Sequence, residues 1–187
     1  MNAHHRNRDH DNINIFLMNS DGPNGTSTDG ALGYNPPMLE LRPITQGSRA
    51  ELEALRVAPH QERFVSTVHD ALAEAVAEPD ARPITWGVYE GDTPVGFVMI
   101  ADEVDSEDYI PQYLWKLLID ERYQGRGYGA STLDLIVAYF RSRPGVTAFT
   151  TSAGEGDSGP IPFYERYGFV RTGEVHDGEV MLRLDLS

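Results

Sequence analysis

A glycine-rich loop between an apolar strand and an amphipathic helix constrains the fold of this chain more than any other feature. The apolar run Tyr113–Ile119 predicts a strand buried on both faces, and residues 130–141 repeat apolar side chains at helical spacing. Between them lie Gly125, Gly127 and Gly129. Small residues at such a turn let the backbone approach a ligand, and the N–H groups of the following helix start attract phosphate. The sequence therefore predicts a β-loop-α unit that binds a phosphate-bearing ligand.

The loop favours one phosphate ligand over two others. Gly125-x-Gly127-x-x-Ala130 fits the dinucleotide fingerprint, but residues 149–152 lack the acidic residue which that site needs about 20 positions on. A Walker A loop is excluded because Lys116, the one lysine of the chain, does not follow the glycines. Coenzyme A, a 3′-phosphorylated ADP derivative, fits best, with Arg122 and Arg126 able to pair with its phosphates.

Charge and composition limit the partners. The chain has 187 residues, 29 acidic against 15 basic, for a formal charge of −14 and no cysteine. Such a charge repels nucleic acid and attracts a cationic substrate, while the lack of cysteine excludes disulfides and thiolate metal sites. No metal site is expected. No apolar run is long enough to cross a bilayer and no signal peptide is evident, so a cytoplasmic protein with no membrane contact is expected.

The chain divides into a polar extension and an α/β domain. Residues 1–37 are rich in Asn, Asp, Gly and Pro and are predicted to be disordered, while residues 38–187 form the domain, with Met38 a candidate translation start. Within the domain, periodicity predicts an antiparallel meander followed by a β-loop-α-β unit. The predicted strands are residues 39–42, 86–89, 95–100, 113–119, 146–152 and 179–186, and the predicted helices are residues 61–77, 130–141 and 161–167.

Two motifs resemble the GNAT superfamily of N-acetyltransferases. Gln124-x-x-Gly127-x-Gly129 is similar to the acetyl-CoA motif of that superfamily, and residues 162–169, Pro-Phe-Tyr-Glu-Arg-Tyr-Gly-Phe, are similar to its second cofactor motif. The resemblance covers residues 38–187 and is greatest to the bacterial spermine and spermidine acetyltransferases. It implies a mixed, mainly antiparallel twisted sheet flanked by helices, with a β-loop-α-β cofactor unit.

The resemblance also implies a cofactor and a set of site residues. Acetyl-CoA would contact Leu117, Leu118, Ile119, Arg122, Gln124, Gly125, Arg126, Gly127, Tyr128, Gly129, Ala130, Ser152 and Phe163. The strand 113–119 would splay from its neighbour and polarise the thioester carbonyl through a backbone N–H near Leu117. Tyr164 would protonate the leaving thiolate, since a phenol has the higher pKa of the two. Many members have an Asn where this chain has Gly159, so Ser152 or nearby backbone groups would replace it.

The acceptor amine must lose a proton before it attacks, and a carboxylate-rich segment is expected to bind the amine. Five acidic residues follow a predicted central strand and suit a di- or polycation: Asp102, Glu103, Asp105, Glu107 and Asp108. Glu40, Glu155 and Asp157 are further candidates for the general base, and the sequence does not choose among them. A polyamine such as spermidine or spermine is therefore the expected substrate.

Alternatives remain open at the level of the sequence. An aminoglycoside or other antibiotic amine would use the same loop chemistry, and a non-catalytic CoA-binding domain would have no need of Tyr164. A nicotinamide oxidoreductase would be stabilised by NAD rather than by acetyl-CoA. Similar proteins are commonly homodimers, so the resemblance implies, by analogy, a homodimer for this chain too.

Overall fold

One seven-stranded sheet organises residues 38–102 and 110–186, the part of the chain that the computed structural model describes. Its strands are β1 Leu39–Pro43, β2 Pro83–Glu90, β3 Thr93–Ala101, β4 Tyr113–Ile119, β5 Ala148–Ala153, β6 Val170–His176 and β7 Glu179–Asp185. The helices are α1 Arg49–Glu53, α2 Val68–Ala77, α3 Tyr128–Arg141 and α4 Ile161–Tyr167.

The strand order confirms the predicted fold class. The sheet runs β1-β2-β3-β4-β5-β7-β6, and its first four strands form the expected antiparallel meander. β4 and β5 are parallel neighbours joined through α3, which is the predicted β-loop-α-β unit. The remaining strand pairs are antiparallel.

Two hydrophobic clusters cover the two faces of the sheet. The first packs α3 and α4 against it through side chains such as Leu133, Ile136, Phe140, Phe149 and Tyr164. The second packs α1 and α2 against the opposite face, through side chains such as Leu52, Val68, Phe97 and Leu118. The sheet therefore has a different pair of helices on each face. None of the helices in the described ranges is long and apolar enough to cross a membrane.

The predicted helix over residues 61–77 is wrong for its first part. Pro59–Gln61 forms a single 3₁₀ turn, and α2 begins only at Val68. Thr67 ends the preceding loop in an extended conformation, with φ −64° and ψ 159°, and its hydroxyl accepts from the Asp70 N–H at 3.2 Å. This N-cap satisfies a helix-start donor, and the helical spacing of the apolar residues upstream does not reveal it.

Three further features differ from the predictions. α1 and β6 were not predicted; all seven residues of β6 are exposed at the edge of the sheet, so the strand has no buried face to produce an apolar alternation. β4 was expected to be buried on both faces, but only Leu114 and Leu118 are buried. The other β4 side chains are half-buried because β5 diverges from this strand, as described below.

Asp120 anchors the end of β4 and provides a test of stability. Its buried carboxylate accepts from the Arg122 Nε at 2.7 Å and from the backbone N–H groups of Arg122 and Arg56 at 3.0 and 3.1 Å. Burial acts to raise the pKa of Asp120, but the Arg122 guanidinium and the two N–H groups outweigh it and hold this pKa below its usual value.

We expect Asp120→Asn to lower the free energy of unfolding by about 2 kcal/mol at neutral pH, because a buried charge-assisted network is lost. A depressed folded-state pKa stabilises the protein above the unfolded-state value and loses that contribution as pH falls through the folded-state value. The difference from wild type should therefore shrink toward pH ~3, as measured by urea unfolding. Asp185→Asn, in the exposed pair with Arg183, is the control and should change stability little. If Asp120→Asn lowered the free energy of unfolding equally at neutral pH and near pH ~3, the depressed pKa of Asp120 would be contradicted.

Candidate active site

A cleft opens where β4 and β5 separate. The two strands pair only at Tyr113↔Thr150 and Leu114↔Thr151, and the rest of β4 has no register with β5. The cleft has a volume of about 1370 Å³ and includes β4 residues, the glycine loop, the start of α3, α4, β5 and the β6–β7 turn in its lining. Its size accommodates a ligand larger than most metabolites.

The backbone of β4 presents a hydrogen-bond donor to this gap. The Asp120 N–H donates to the Val95 carbonyl at 3.0 Å, and the register continues through Ile119 opposite Gly96 and Leu117 opposite Val98. Residues of an antiparallel pair alternate between facing the partner and facing away. Leu117 and Ile119 therefore direct their N–H and C=O groups away from β3, toward the gap. The Ile119 carbonyl accepts from the Gln124 side chain at 2.8 Å.

A β-bulge sets this orientation. Met99 pairs with Lys116 while Ile100 pairs with Leu114, so Trp115 is the extra residue on β4. Its insertion reverses the alternation, which is why Leu114 and Leu117 both face β5. The Leu114 carbonyl accepts from the Thr151 hydroxyl at 2.9 Å and closes the narrow end of the gap.

The glycine loop has the geometry that its sequence predicts. Gly125 and Gly127 adopt φ of +73° and +86°, which side chains rarely adopt, and Gly127 is the N-cap of α3 without a side-chain cap. A Cβ on Gly129 would lie 3.1 Å from the Phe163 ring, so this glycine lets α4 approach α3. The first N–H groups of α3 and the positive end of its dipole lie beside the cleft and are suited to an anion.

Several of the predicted cofactor contacts line the cleft and others do not. Leu117, Ile119, Gln124, Gly125, Gly127, Tyr128, Gly129, Ala130, Ser152 and Phe163 all line it. Leu118 is buried in the cluster on the α1–α2 face. Arg122 is held on Asp120 at 2.7 Å, and the Arg126 guanidinium lies 5.9 Å from the Tyr123 ring. Neither arginine lines the cleft.

Two other arginines occupy cleft positions that no sequence motif indicated. Arg63, in the loop before α2, and Arg166, on α4, both line the cleft. Arg63 donates to the Asp157 carbonyl at 2.8 Å, so it bridges two segments that are far apart in sequence. Arg166 lies inside the second cofactor motif, residues 162–169, so the sequence indicated this region of the site but not the role of this residue.

The ring of Tyr164 packs in the core, while Tyr164 also lines the cleft. It is 7% exposed, and its ring lies 5.3 Å from that of Phe169. Burial raises the pKa of Tyr164 well above its ordinary value, with the Thr151 side chain acting in the opposite direction. A phenol in this environment stays protonated and is available as a proton donor at the cleft.

The acidic segment after β3 falls into two parts. Asp102 is not positioned to bind the substrate amine. Its carboxylate is buried, accepts from the Tyr139 hydroxyl at 2.7 Å and pairs with the Arg143 Nε at 2.9 Å. It anchors the end of β3 to α3. Glu103, Asp105, Glu107 and Asp108 lie outside the described residues, whereas Ala101 and Ile110 on either side of that segment line the cleft.

The three further candidates for the general base lie away from the cleft lining. Glu40 pairs with Arg42 on β1, Glu155 pairs with Arg171 at 2.8 Å, and Asp157 contacts Arg63 through its carbonyl. Four other carboxylates line the cleft instead: Glu62, Glu74, Asp177 and Glu179. They come from the loop before α2, from α2 and from the β6–β7 turn, so only the folded chain brings them together. No group of three metal-ligating side chains occurs in the described ranges.

Two of the cleft carboxylates have defined partners. Glu74 accepts from Trp115 Nε1 at 3.1 Å and pairs with Lys116 at 3.0 Å. Glu179 accepts from the Ser152 hydroxyl, whose oxygen lies 2.6 Å from the Tyr113 hydroxyl. The Ser152 hydroxyl, expected to replace a pantetheine-binding Asn, thus belongs to a side-chain network.

A parallel pair that splays beside a glycine loop and a buried tyrosine defines the arrangement of an acetyltransferase. The model of the acetyltransferase (GNAT) family matches residues 49–169, and the chain belongs to that family. It is an enzyme that uses acetyl-CoA as its acetyl donor.

Known proteins similar to the chain include a curated relative and solved structures. The spermine/spermidine N(1)-acetyltransferase of Bacillus subtilis (strain 168) is 29% identical over 152 residues, covering 79% of this chain and 99% of that protein. The aminoglycoside acetyltransferase AAC(6')-Ib in complex with coenzyme A superposes with a TM-score of 0.63 at 19% identity, covering 79% and 94%. The spermidine N-acetyltransferase of Vibrio cholerae with CoA and spermine gives 0.58 at 14%, covering 79% and 95%. At these identities the structures show the fold alone.

Proposed function

We propose that this enzyme transfers the acetyl group of acetyl-CoA to a primary amine of a small polycation, with spermidine and spermine as the preferred substrates. The observation that carries the proposal is the presence of four carboxylates in the cleft lining, Glu62, Glu74, Asp177 and Glu179, beside three basic side chains, Arg63, Lys116 and Arg166. An alkylammonium group is cationic at neutral pH, and several carboxylates spread over one cleft suit several ammonium groups spread along one chain.

The carboxylates differ in how much charge they offer. Lys116 already neutralises Glu74 at 3.0 Å, and this pair borders the gap beside Trp115. Glu62 and Asp177 are exposed and project from the loop before α2 and from the β6–β7 turn. A polyamine with one amine at the gap therefore has further carboxylates for its distal ammonium groups. The formal charge of −14 adds long-range attraction for such a substrate.

The opposite side of the gap is suited to the acetyl donor. The N–H groups of the glycine loop and of the first turn of α3 would bind the pyrophosphate, in place of the arginines expected from the sequence. The Leu117 N–H would polarise the thioester carbonyl, and Tyr164 would give its proton to the leaving thiolate. Backbone groups of residues 154–159, against which Phe64 packs, replace the missing Asn at Gly159.

The relative from Bacillus subtilis supports the same substrate class. Its name assigns it spermine and spermidine, and it aligns with this chain over nearly its whole length. The proposal extends that substrate class to this chain because the carboxylates that line the cleft give a physical reason for it.

Substrate turnover tests the proposal. We expect thiol release from acetyl-CoA in the presence of spermine or spermidine, and little with a sugar that carries a single amine. If aminoglycosides react while polyamines are inert, the substrate class changes and the acetyltransferase assignment stands. If acetyl-CoA binds but no amine in the panel reacts, the chain is a CoA-binding domain without turnover.

Charge removal at the cleft is expected to weaken the binding of the amine selectively. Asp177→Asn should raise the KM for spermine about 2- to 5-fold and leave the KM for acetyl-CoA unchanged, since an exposed ion pair contributes up to about 1 kcal/mol. The increase should diminish at high salt because exposed charges are screened. Asp185→Asn, on β7 but outside the cleft lining, is the matched control. An equal rise in both KM values would point to a structural effect instead.

A further inference from the structure

Tyr113, Ser152 and Glu179 form a hydrogen-bonded chain along the wall of the cleft, and all three residues line it. Ser152 donates its hydroxyl proton to the Glu179 carboxylate. A serine hydroxyl has one proton and an ionised carboxylate can only accept, so the Tyr113 hydroxyl must be the donor in its 2.6 Å bond to Ser152. Both protons therefore point toward Glu179, and the Tyr113 oxygen keeps lone pairs at the cleft end.

The hydrogen-bonded residues Tyr113, Ser152 and Glu179 lie on the opposite face of the gap from Tyr164. Leu114, Ala153 and Tyr164 all belong to the cluster on the α3–α4 face. Because successive side chains of a strand alternate, Tyr113 and Ser152 project to the α2 face. A group acting on the amine and a group acting on the thiolate are thus separated by the plane of the sheet, with the gap between them.

We propose that the Tyr113–Ser152–Glu179 chain removes the proton of the attacking amine. As the ammonium N–H bond breaks, the Tyr113 oxygen gains that proton, the Tyr113 proton passes to the Ser152 oxygen, and the Ser152 proton passes to the Glu179 carboxylate. The amine keeps its electron pair for the attack, Glu179 becomes neutral, and no other reactant is consumed. Glu179 is half-buried at the β6–β7 turn and returns its proton to solvent. This inference rests on the amine acetylation proposed above.

The surroundings of the Tyr113–Ser152–Glu179 chain favour a relay of neutral hydroxyl groups. Burial raises the pKa of Tyr113, the Ser152 bond lowers it, and the charges of Glu179 and Glu74 raise it. Tyr113 therefore stays protonated and passes protons on rather than holding a charge. The other titratable or charged side chains that line this cleft are Glu62, Arg63, Glu74, Lys116, Tyr128, Tyr164, Arg166, His176 and Asp177.

A pH profile distinguishes this role from a structural one. We expect Glu179→Gln, which keeps the acceptor oxygen but cannot take the proton, to lower kcat/KM for spermine about 100-fold at neutral pH. The deficit should shrink steadily as pH approaches the amine pKa of about 10.4, where the substrate is already deprotonated. Tyr113→Phe should show the same pH-dependent deficit, and the double variant should lose no more than the larger single loss.

Glu174→Gln is the control, because Glu174 lies on the same hairpin, contacts His176 at 3.7 Å and is outside the cleft lining. It should retain wild-type kcat/KM at every pH, and thermal unfolding should show all variants folded. Glu179→Gln and Tyr113→Phe deficits that are the same at every pH, or that multiply in the double variant, would overturn the relay while wild-type turnover of amines upholds the proposed function. A wild-type protein inert toward every amine would instead overturn the proposed function itself.

Discussion

Tyr164→Phe is expected to lower kcat by about 10²- to 10⁴-fold while leaving the KM for acetyl-CoA nearly unchanged. The substitution removes one hydroxyl from a buried ring and keeps the packing against Phe169. Burial holds the pKa of Tyr164 well above its usual value, so the phenol is protonated over the working pH range and can supply a proton to the thiolate. Steady-state kinetics with thiol release as the readout measures the loss.

Tyr167→Phe provides the matched control on the same helix. Its hydroxyl donates to Asp134 at 2.8 Å and lies outside the cleft lining. We expect that variant to keep wild-type kcat. A Tyr164→Phe variant that retains activity within about 3-fold would show that solvent or another group protonates the thiolate.

Removal of the Leu117 N–H should have the second largest effect, a loss of about 10²- to 10³-fold in kcat, the range found for a single oxyanion-hole donor. The N–H can be replaced by an ester oxygen if leucic acid is incorporated at position 117. Because Leu117 directs its N–H away from β3, this change removes no hydrogen bond of the β3–β4 ladder, and stability should change little.

The neighbouring position is the control for that experiment. The Leu118 N–H faces β3 opposite Phe97, so an ester at position 118 should weaken the ladder and lower the unfolding temperature while kcat changes little. The assignment of Leu117 as the carbonyl-polarising donor fails if the two esters have the same kinetic effect, or if the ester at position 117 only destabilises the fold.

The sequence predicted the elements whose periodicity reflects a buried face. The β2–β3 hairpin, β4, α3 and α4 appear where the apolar patterns placed them, and Gly125 and Gly127 have the positive φ angles that a phosphate-binding turn requires. α1 and β6 were missed because a one-turn helix and an exposed edge strand carry no such pattern. The start of α2 was misplaced because the Thr67 cap, and not apolar spacing, sets it.

The site was predictable only where its residues are close together in sequence. The glycine loop and the motif around Tyr164 are local, so short patterns indicated them. Arg63, Asp177 and Glu179 come to the cleft from a loop and a hairpin turn whose positions depend on the packing of the whole domain. Asp102, which its acidic neighbours suggested as a substrate ligand, is instead neutralised by Arg143 in the interior.

The sequence by itself determined the class of the protein, because a strand, a glycine turn and a helix carry the phosphate site within one local stretch. Only the tertiary structure decided which groups face the reacting atoms. The bulge at Trp115 turns the Leu117 N–H into the gap, and the divergence of β5 after Thr151 opens the space between the acid on one face and the carboxylates on the other. Bulges and strand divergence depend on pairing with distant strands, which a local pattern does not contain.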